Sequence, residues 1–394
     1  MDIQVNQMQL TLPQGSFVGP TFARCLNPDA PGYGSLLMNV AVSNGADSGV
    51  GNRLYRSFDD GESWQEEGYI ERSFCCDRQG SLWKVGGNAA LYADEEAGVL
   101  LFTSNEMLWT KNEYASCKQC TRQFYRLSFD NGHSWTDKIY ILTEGQTPEN
   151  PIPDVVYGRN FALSMASQTL RADDGSLLVA LQCQVVDENG KLYEPSGFHF
   201  FQSGALHAVW DEEALRYRWT MSDYVRVTPR ESMRGVFEPT FARLGENRYL
   251  MVMRNSNHGD PSVTGQKFYS VSENSGYSWS QPSPLTYDDG TTMYSSSCVP
   301  KLFAHSGGKL YYIGIINSEN PDSNHPRYPL CIAELDRQTC TVRKETVTVI
   351  DTGRGCQKDY SNHGIYEDSQ GRLVIYTPFR TETACGLNRY IVIP

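Results

Sequence analysis

Apolar and polar residues alternate with a period of two along much of this chain, in short runs cut by turns rich in Gly, Asp, Asn and Ser. That period marks strands with one buried face. The runs come in pairs. Inner and second strands are expected near 17–24 and 35–42, 88–94 and 98–104, and 162–171 and 176–184. Further pairs fall near 236–243 and 248–254, 297–303 and 309–316, and 361–367 and 372–378. Turns such as "DDGS" (173–176), "SGGK" (306–309) and "SQGR" (369–372) separate several of the pairs, as hairpins require. Six such units predict an all-β, six-bladed β-propeller, read as one domain over residues 1–394 with no linker and no low-complexity segment. The last unit ends in "NRYIVIP", a third strand with nothing after it, while the N-terminal "IQVNQMQLTL" has no partner in the first unit. Their pairing closes the ring within one sheet.

One turn is written three times. "SFDDGESW" (57–64) returns as "SFDNGHSW" (128–135) and, more weakly, as "SENSGYSW" (272–279). The starts are 71 and then 144 residues apart, about one and two units, which points to a worn copy near 206–219. A second echo pairs "GPTFAR" (19–24) with "EPTFAR" (238–243). In the repeated turn the Ser and Asp side chains can bond the turn's own backbone, Gly supplies a positive φ, and Trp folds back as an apolar plug. Those roles are structural, so the three copies predict a staple and place the chemistry elsewhere.

Composition narrows the classes. Apolar residues are 40% and aromatics 12%, with 34 Gly and 19 Pro, a profile that suits many short strands better than a helical bundle. The net charge of −12 comes without a concentrated basic surface, which argues against nucleic acid as a partner. No run of 18 apolar residues is present, so no membrane span is expected. The start lacks the basic and apolar regions of a signal peptide. A mature secreted or periplasmic protein with its leader removed reads the same way, and that location is favoured. Eleven cysteines are many for a reduced cytosolic protein. Cys75, Cys76, Cys117 and Cys120 could form a four-thiolate zinc site, although two adjacent cysteines are poor ligand spacing, and disulfides or buried thiols are the plainer alternatives.

The pattern S-x-D-x-G-x-x-W resembles the Asp box of the sialidase superfamily, and nearly the whole chain can be laid over that family's six-bladed layout. The resemblance implies an exo-acting glycoside hydrolase that removes a terminal acidic sugar, sialic-acid-like or another keto-acid or uronic sugar, from a glycan, with no cofactor and no catalytic metal. It is carried by "FEPTFARLGENRYLMVMR", which implies Glu238 and Arg254; by "NPDSNHPRYPLCIAELD", which implies Arg327; by "YSNHGIYEDSQGRL", which implies Tyr360; and by "SNGADSGVGNRLYRSFDDG", which implies Asp47. In that scheme Tyr360, activated by Glu238, is the nucleophile, because a carboxylate would be repelled by the carboxylate on the sugar's anomeric carbon. Asp47 is the acid/base, and Arg254 and Arg327 grip the sugar carboxylate in planar forks.

The chain departs from the family at "FVGPTFAR", where Val18-Gly19-Pro20 stands in place of an Arg-Ile-Pro motif. Arg24 lies further along that strand, and Arg53 or Arg380 is the expected substitute in the substrate clamp. Two other readings follow from the residues. A propeller lyase would abstract a proton beside a uronate carboxyl, with Tyr360 and one of His207, His258 or His363. A non-catalytic carbohydrate-binding propeller would explain the lost arginine.

Overall fold

A computed structural model describes the whole chain except residues 12–15, 44–48, 76–81, 86–88, 110–120, 161, 165–168, 354–359 and 381–384. Its fold is the all-β six-bladed propeller: six antiparallel sheets, with two single-turn 3-10 helices, Lys344–Thr346 and Tyr360–Asn362, among the described residues. The alternating pattern located the strands to within a few residues. Strand Arg248–Arg254 matches the expected run, and Leu36–Ser43, Leu177–Gln184 and Leu310–Ile315 differ by a residue or so at their ends. The run expected at 162–171 is instead two short strands, Ala162–Ser164 and Leu170–Arg171. The fifth inner strand begins only at Lys301, because residues 295–297 bond to loops: Ser295 N donates to Gly265 O and Ser297 N to Ser323 O.

The residues fall into two compact units. The first comprises 2–166, 210–217 and 362–394 and holds three sheets. One runs Ser16–Arg24, Leu36–Ser43, Gly49–Ser57, Gln65–Arg72. Another is built on Ala90–Asp94, Val99–Trp109, Thr121–Ser128 and Ile139–Tyr140. In the last, strands Gly364–Glu367, Leu373–Arg380 and Cys385–Ile393 are completed by the N-terminal strand Asp2–Thr11, with Gln4 opposite Ile391 and Asn6 opposite Arg389. Neighbouring sheets pack face to face: Met38 and Val40 meet Val374 and Tyr376, and Leu37 and Leu54 meet Leu100 and Phe102 on the other side.

The second unit comprises 167–209 and 218–361. It holds residues 177–184 paired with residues 201–208. It also holds the sheet Phe237–Gly245, Arg248–Arg254, Lys267–Ser272, Ser283–Pro284, and the sheet Lys301–Ala304, Leu310–Ile315, Leu330–Glu334, Thr348–Asp351. Leu250, Val252, Leu302, Leu310, Tyr312 and Val342 form the core between the latter two. Each fully buried aliphatic there contributes about 1.5–3 kcal/mol.

The repeated turn is a staple in all three copies. Ser57 Oγ accepts Gly61 N at 2.7 Å and donates to Asp59 Oδ1 at 2.8 Å, and Asp59 in turn accepts Ser63 N at 2.8 Å. Ser128 with Asp130, and Ser272 with Asn274, repeat the arrangement. Gly61, Gly132 and Gly276 sit at φ 88, 87 and 90°, where a β-carbon is strained. Trp64 donates to the Tyr376 hydroxyl, and Trp279 donates to Ser222 and lies parallel to the Phe241 ring. The hydroxyl of Ser63 holds the Asp59 carboxyl below the usual carboxylate range, so the acid of the box is a bonded turn element. At the site of the worn copy, Asp211 alone caps the turn by accepting from Glu213 N and Ala214 N.

Candidate functional site

The second unit brings four charged side chains together around one irregularity. Phe237 pairs with Arg254, but the next pair is Thr240 with Val252, so Glu238 and Pro239 bulge out of the ladder. Glu238 there adopts φ +49°, in the left-handed region that non-glycine residues rarely occupy, and a following proline makes α-type backbone still less favourable. Its amide is held by Gln182 Oε1 at 2.9 Å. Such a conformation costs on the order of 1–3 kcal/mol and persists only where surrounding contacts impose it.

The bulge puts the Glu238 carboxylate 2.6 Å from Arg254, whose guanidinium is nearly buried. Arg254 Nε donates to Ser297 Oγ at 2.9 Å, Nη1 to Glu238 and Nη2 to Asn324 Oδ1 at 3.0 Å, and its plane lies over the Phe237 ring at 4.7 Å. A guanidinium has five N–H donors. Three are engaged, which leaves one N–H on each terminal nitrogen.

Arg327 and Tyr360 are joined to each other and, through one segment, to Arg254. Tyr360 N donates to the Arg327 carbonyl at 3.4 Å. Ser296 Oγ donates to the Pro326 carbonyl at 2.7 Å, Ser297 holds Arg254, and Val299 N donates to Ser361 Oγ. The segment 296–299 therefore ties both arginines and the Tyr360 turn to one framework. Arg327 is half-buried and Tyr360 is buried.

Two lysines belong to the same constellation. Lys267, directly across the ladder from Arg254, is fully buried, and its Nζ donates to Ser296 O at 2.7 Å. Burial pushes its ammonium down to about 7, helped by Arg254 and opposed by Cys298 and Glu238. Lys301 is pushed down to about 8, also by burial, with Glu238 acting the other way. Neither was among the residues expected from sequence, although alternation along "KFYSVS" puts Lys267 on the same face as Tyr269 and Val271, which pack on the core. That periodicity was the available signal. Arg234 is a further addition, 5.4 Å from the Phe237 ring centroid.

The remaining expected residues are placed as follows. Arg53, in the first unit, donates to the Tyr69 hydroxyl at 2.8 Å and to Glu66 at 3.2 Å, both on the next strand of its own sheet. Asp47 lies outside the described residues, as do Cys76, Cys117, Cys120 and the side chains of Cys75 and Arg380. Arg24 is paired with Asp60. His207 is buried between Ser176 and the Gly276 carbonyl and stacks on Tyr277 at 3.8 Å, with burial lowering its pKa. His258 lies against the Phe198 ring, and His363 is buried in the first unit. Among the described residues no group of three or more His, Cys, Asp or Glu is placed to hold a metal ion. A depression of about 560 Å³ lined by Asp288, Asp289, Lys344 and Glu345 shares no residue with the Glu238 constellation and is crossed by the Lys344–Asp289 ion pair.

Within Val18-Gly19-Pro20, the glycine has a structural reason to be there. Val18 pairs with Ala41 and Thr21 with Asn39, so Gly19 and Pro20 form the same bulge as Glu238 and Pro239. A β-carbon on Gly19 would lie 2.1 Å from the Asn362 carbonyl oxygen, which confines that position to glycine.

Residues 53–375 match the family described as BNR repeat-like domain. No curated protein sequence matches the chain. Among solved structures it is similar to the Hadza microbial sialidase Hz136, at 16% identity and a TM-score of 0.64, over 96% of this chain and 65% of that one. It is also similar to the Trypanosoma rangeli sialidase in complex with the inhibitor DANA, at 12% identity and a TM-score of 0.62, over 96% of this chain and 55% of that one. The NanB sialidase from Streptococcus pneumoniae gives 11% identity and a TM-score of 0.63, over 98% and 70%. The chain thus spans less than two thirds of the length of the first two, and at these identities the likeness is one of fold.

Proposed function

Because the chain belongs to the BNR repeat-like family of the sialidase superfamily, we propose that it is an exo-acting glycoside hydrolase that removes a terminal acidic sugar from a glycan. The observation that carries this reading is Arg254: it is bonded to Glu238, Ser297 and Asn324, yet keeps one hydrogen on each terminal nitrogen for a ligand carboxylate. Arg327 supplies a second cation on the adjoining segment. Sugars that carry a carboxylate, on the anomeric carbon in sialic-acid-like and keto-acid sugars or on C5 in uronic sugars, match that charge.

In the proposed reaction Tyr360 attacks the anomeric carbon as Glu238 draws off its phenolic proton. A neutral hydroxyl approaches the anionic sugar without the repulsion a carboxylate would meet. The leaving oxygen takes a proton from Asp47, which then activates the water that releases the sugar. The strained backbone at Glu238 supports the assignment, since such strain concentrates where geometry is imposed for function. The lyase alternative loses His207, whose two ring nitrogens are bonded within the core.

A panel of aryl glycosides and native glycans with acidic termini tests the reading, with Arg254→Met as control. Release of a saturated acidic sugar by wild type, and its loss in the variant, is expected. An unsaturated uronate product would point to a lyase, and binding without turnover to a lectin-like role.

A further inference from the structure

Lys267 has no part in the hydrolytic scheme, yet it sits at the centre of the framework behind it. Its ammonium is enclosed on every side, 2.7 Å from the Ser296 carbonyl. Ser296 Oγ holds the Pro326 carbonyl next to Arg327, and the adjacent Ser297 holds Arg254 Nε. Three charged or titratable groups face it: Arg254 from strand Arg248–Arg254, Glu238 from the bulge, and the buried Cys298 ahead of strand Lys301–Ala304. Lys301 feels the same carboxylate.

A buried ammonium beside a guanidinium is disfavoured twice, by lost hydration and by like-charge repulsion, while one carboxylate opposes both. An anion bound on the free edge of Arg254 adds a second negative charge and tips that balance. We propose that Lys267 is a proton-storing positioning residue: it takes a proton from solvent when an anionic group binds against Arg254, and returns it when the anion leaves. The charged ammonium then bonds the Ser296 carbonyl more strongly than the neutral amine does, which tightens the segment that orients both arginines. No bond in the ligand is made or broken in this step, and the proton comes from and returns to the buffer. Anion affinity therefore falls as pH rises through the range in which Lys267 titrates.

The inference rests on the hydrolase reading only in taking Arg254 as an anion-binding group, and its test needs no turnover. Asn324 Oδ1 already accepts from Arg254 at 3.0 Å, so Asn324→Asp places a carboxylate there as a covalent stand-in for a bound anion. The full chain with isotope-labelled lysine is titrated by NMR, the Lys267 signal being identified by its loss in Lys267→Met. Wild-type Lys267 should titrate near neutrality. Asn324→Asp should raise its pKa by on the order of one unit, Arg254→Met should raise it as well, and Glu238→Gln should lower it. A lysine that merely fills space would feel these charges too, so acetate affinity is the discriminating readout: it should fall between pH 6 and 9 more steeply in wild type than in Lys267→Met, and equal slopes would overturn the proposal. The proposal is overturned if Lys267 titrates in the ordinary lysine range in wild type, or if neither Asn324→Asp nor Arg254→Met moves it. A glycan panel without turnover would overturn the hydrolase reading and leave this titration intact.

Discussion

Replacing Lys267 with methionine should remove a pH dependence that the wild-type fold carries above neutrality. In the folded protein the ammonium titrates at about 7, against 10.5 in an unfolded chain, chiefly because it is buried. Between those values the unfolded state binds more protons, so stability rises with pH, by up to about 1.4 kcal/mol per unit. The contribution is complete above the unfolded value and is lost as pH falls through the folded one. Across the whole interval it amounts to about 5 kcal/mol, and from pH 7 to 9.5 to about 3 kcal/mol. Methionine has similar length and no charge. Loss of the neutral amine's bond to the Ser296 carbonyl adds a constant offset of about 1 kcal/mol, the stronger bond of the charged form being already contained in the pKa shift. Urea unfolding of both proteins in half-unit steps of pH reads the effect, since titrations elsewhere cancel in the difference. Wild type should gain about 3 kcal/mol on Lys267→Met between pH 7 and 9.5. A difference that stays flat would refute the claim that the folded protein holds this lysine with a depressed pKa.

Three further outcomes are expected. Ser57→Ala leaves the buried Gly61 amide without its acceptor and should cost about 1–3 kcal/mol in thermal unfolding, with glycan turnover unchanged. Gly19→Ala drives a β-carbon against the Asn362 carbonyl and should lower soluble yield and the melting temperature sharply, whereas Gly34→Ala, which meets no neighbour but introduces a β-carbon at positive φ, should cost only about 1–2 kcal/mol. Glu238→Gln keeps the shape of the bulge residue while removing its charge; turnover should fall on the order of a hundredfold or more, as for loss of a catalytic base, while circular dichroism stays that of wild type.

Much of the fold was legible because period-two alternation and the Asp-box turn are local signals. Strand Arg248–Arg254 could be read directly, and the three staples follow from side chains that bond their own turn. The echo of "GPTFAR" and "EPTFAR" marked something more specific, the same two-residue bulge in two sheets, with Gly19 at one and Glu238 at the other. What sequence could not supply is the backbone conformation of Glu238, which is set by the ladder on either side and by Gln182 from another sheet. The framework of Ser296, Ser297 and Asn324 was equally hidden, because these polar residues read as loop and act only through partners remote in sequence. Arg53 shows the converse: the missing arginine at Val18 made it an expected substitute in the clamp, and the strand pairing sets it against Tyr69 and Glu66.

The most direct test of the central claim is the hydrolysis of anionic aryl glycosides by wild type and Tyr360→Phe at matched concentration. Wild type should release a saturated acidic sugar from at least one of them, and the variant, lacking the attacking oxygen, should lose kcat/KM by on the order of a thousandfold. Equal turnover by the two proteins would contradict the account.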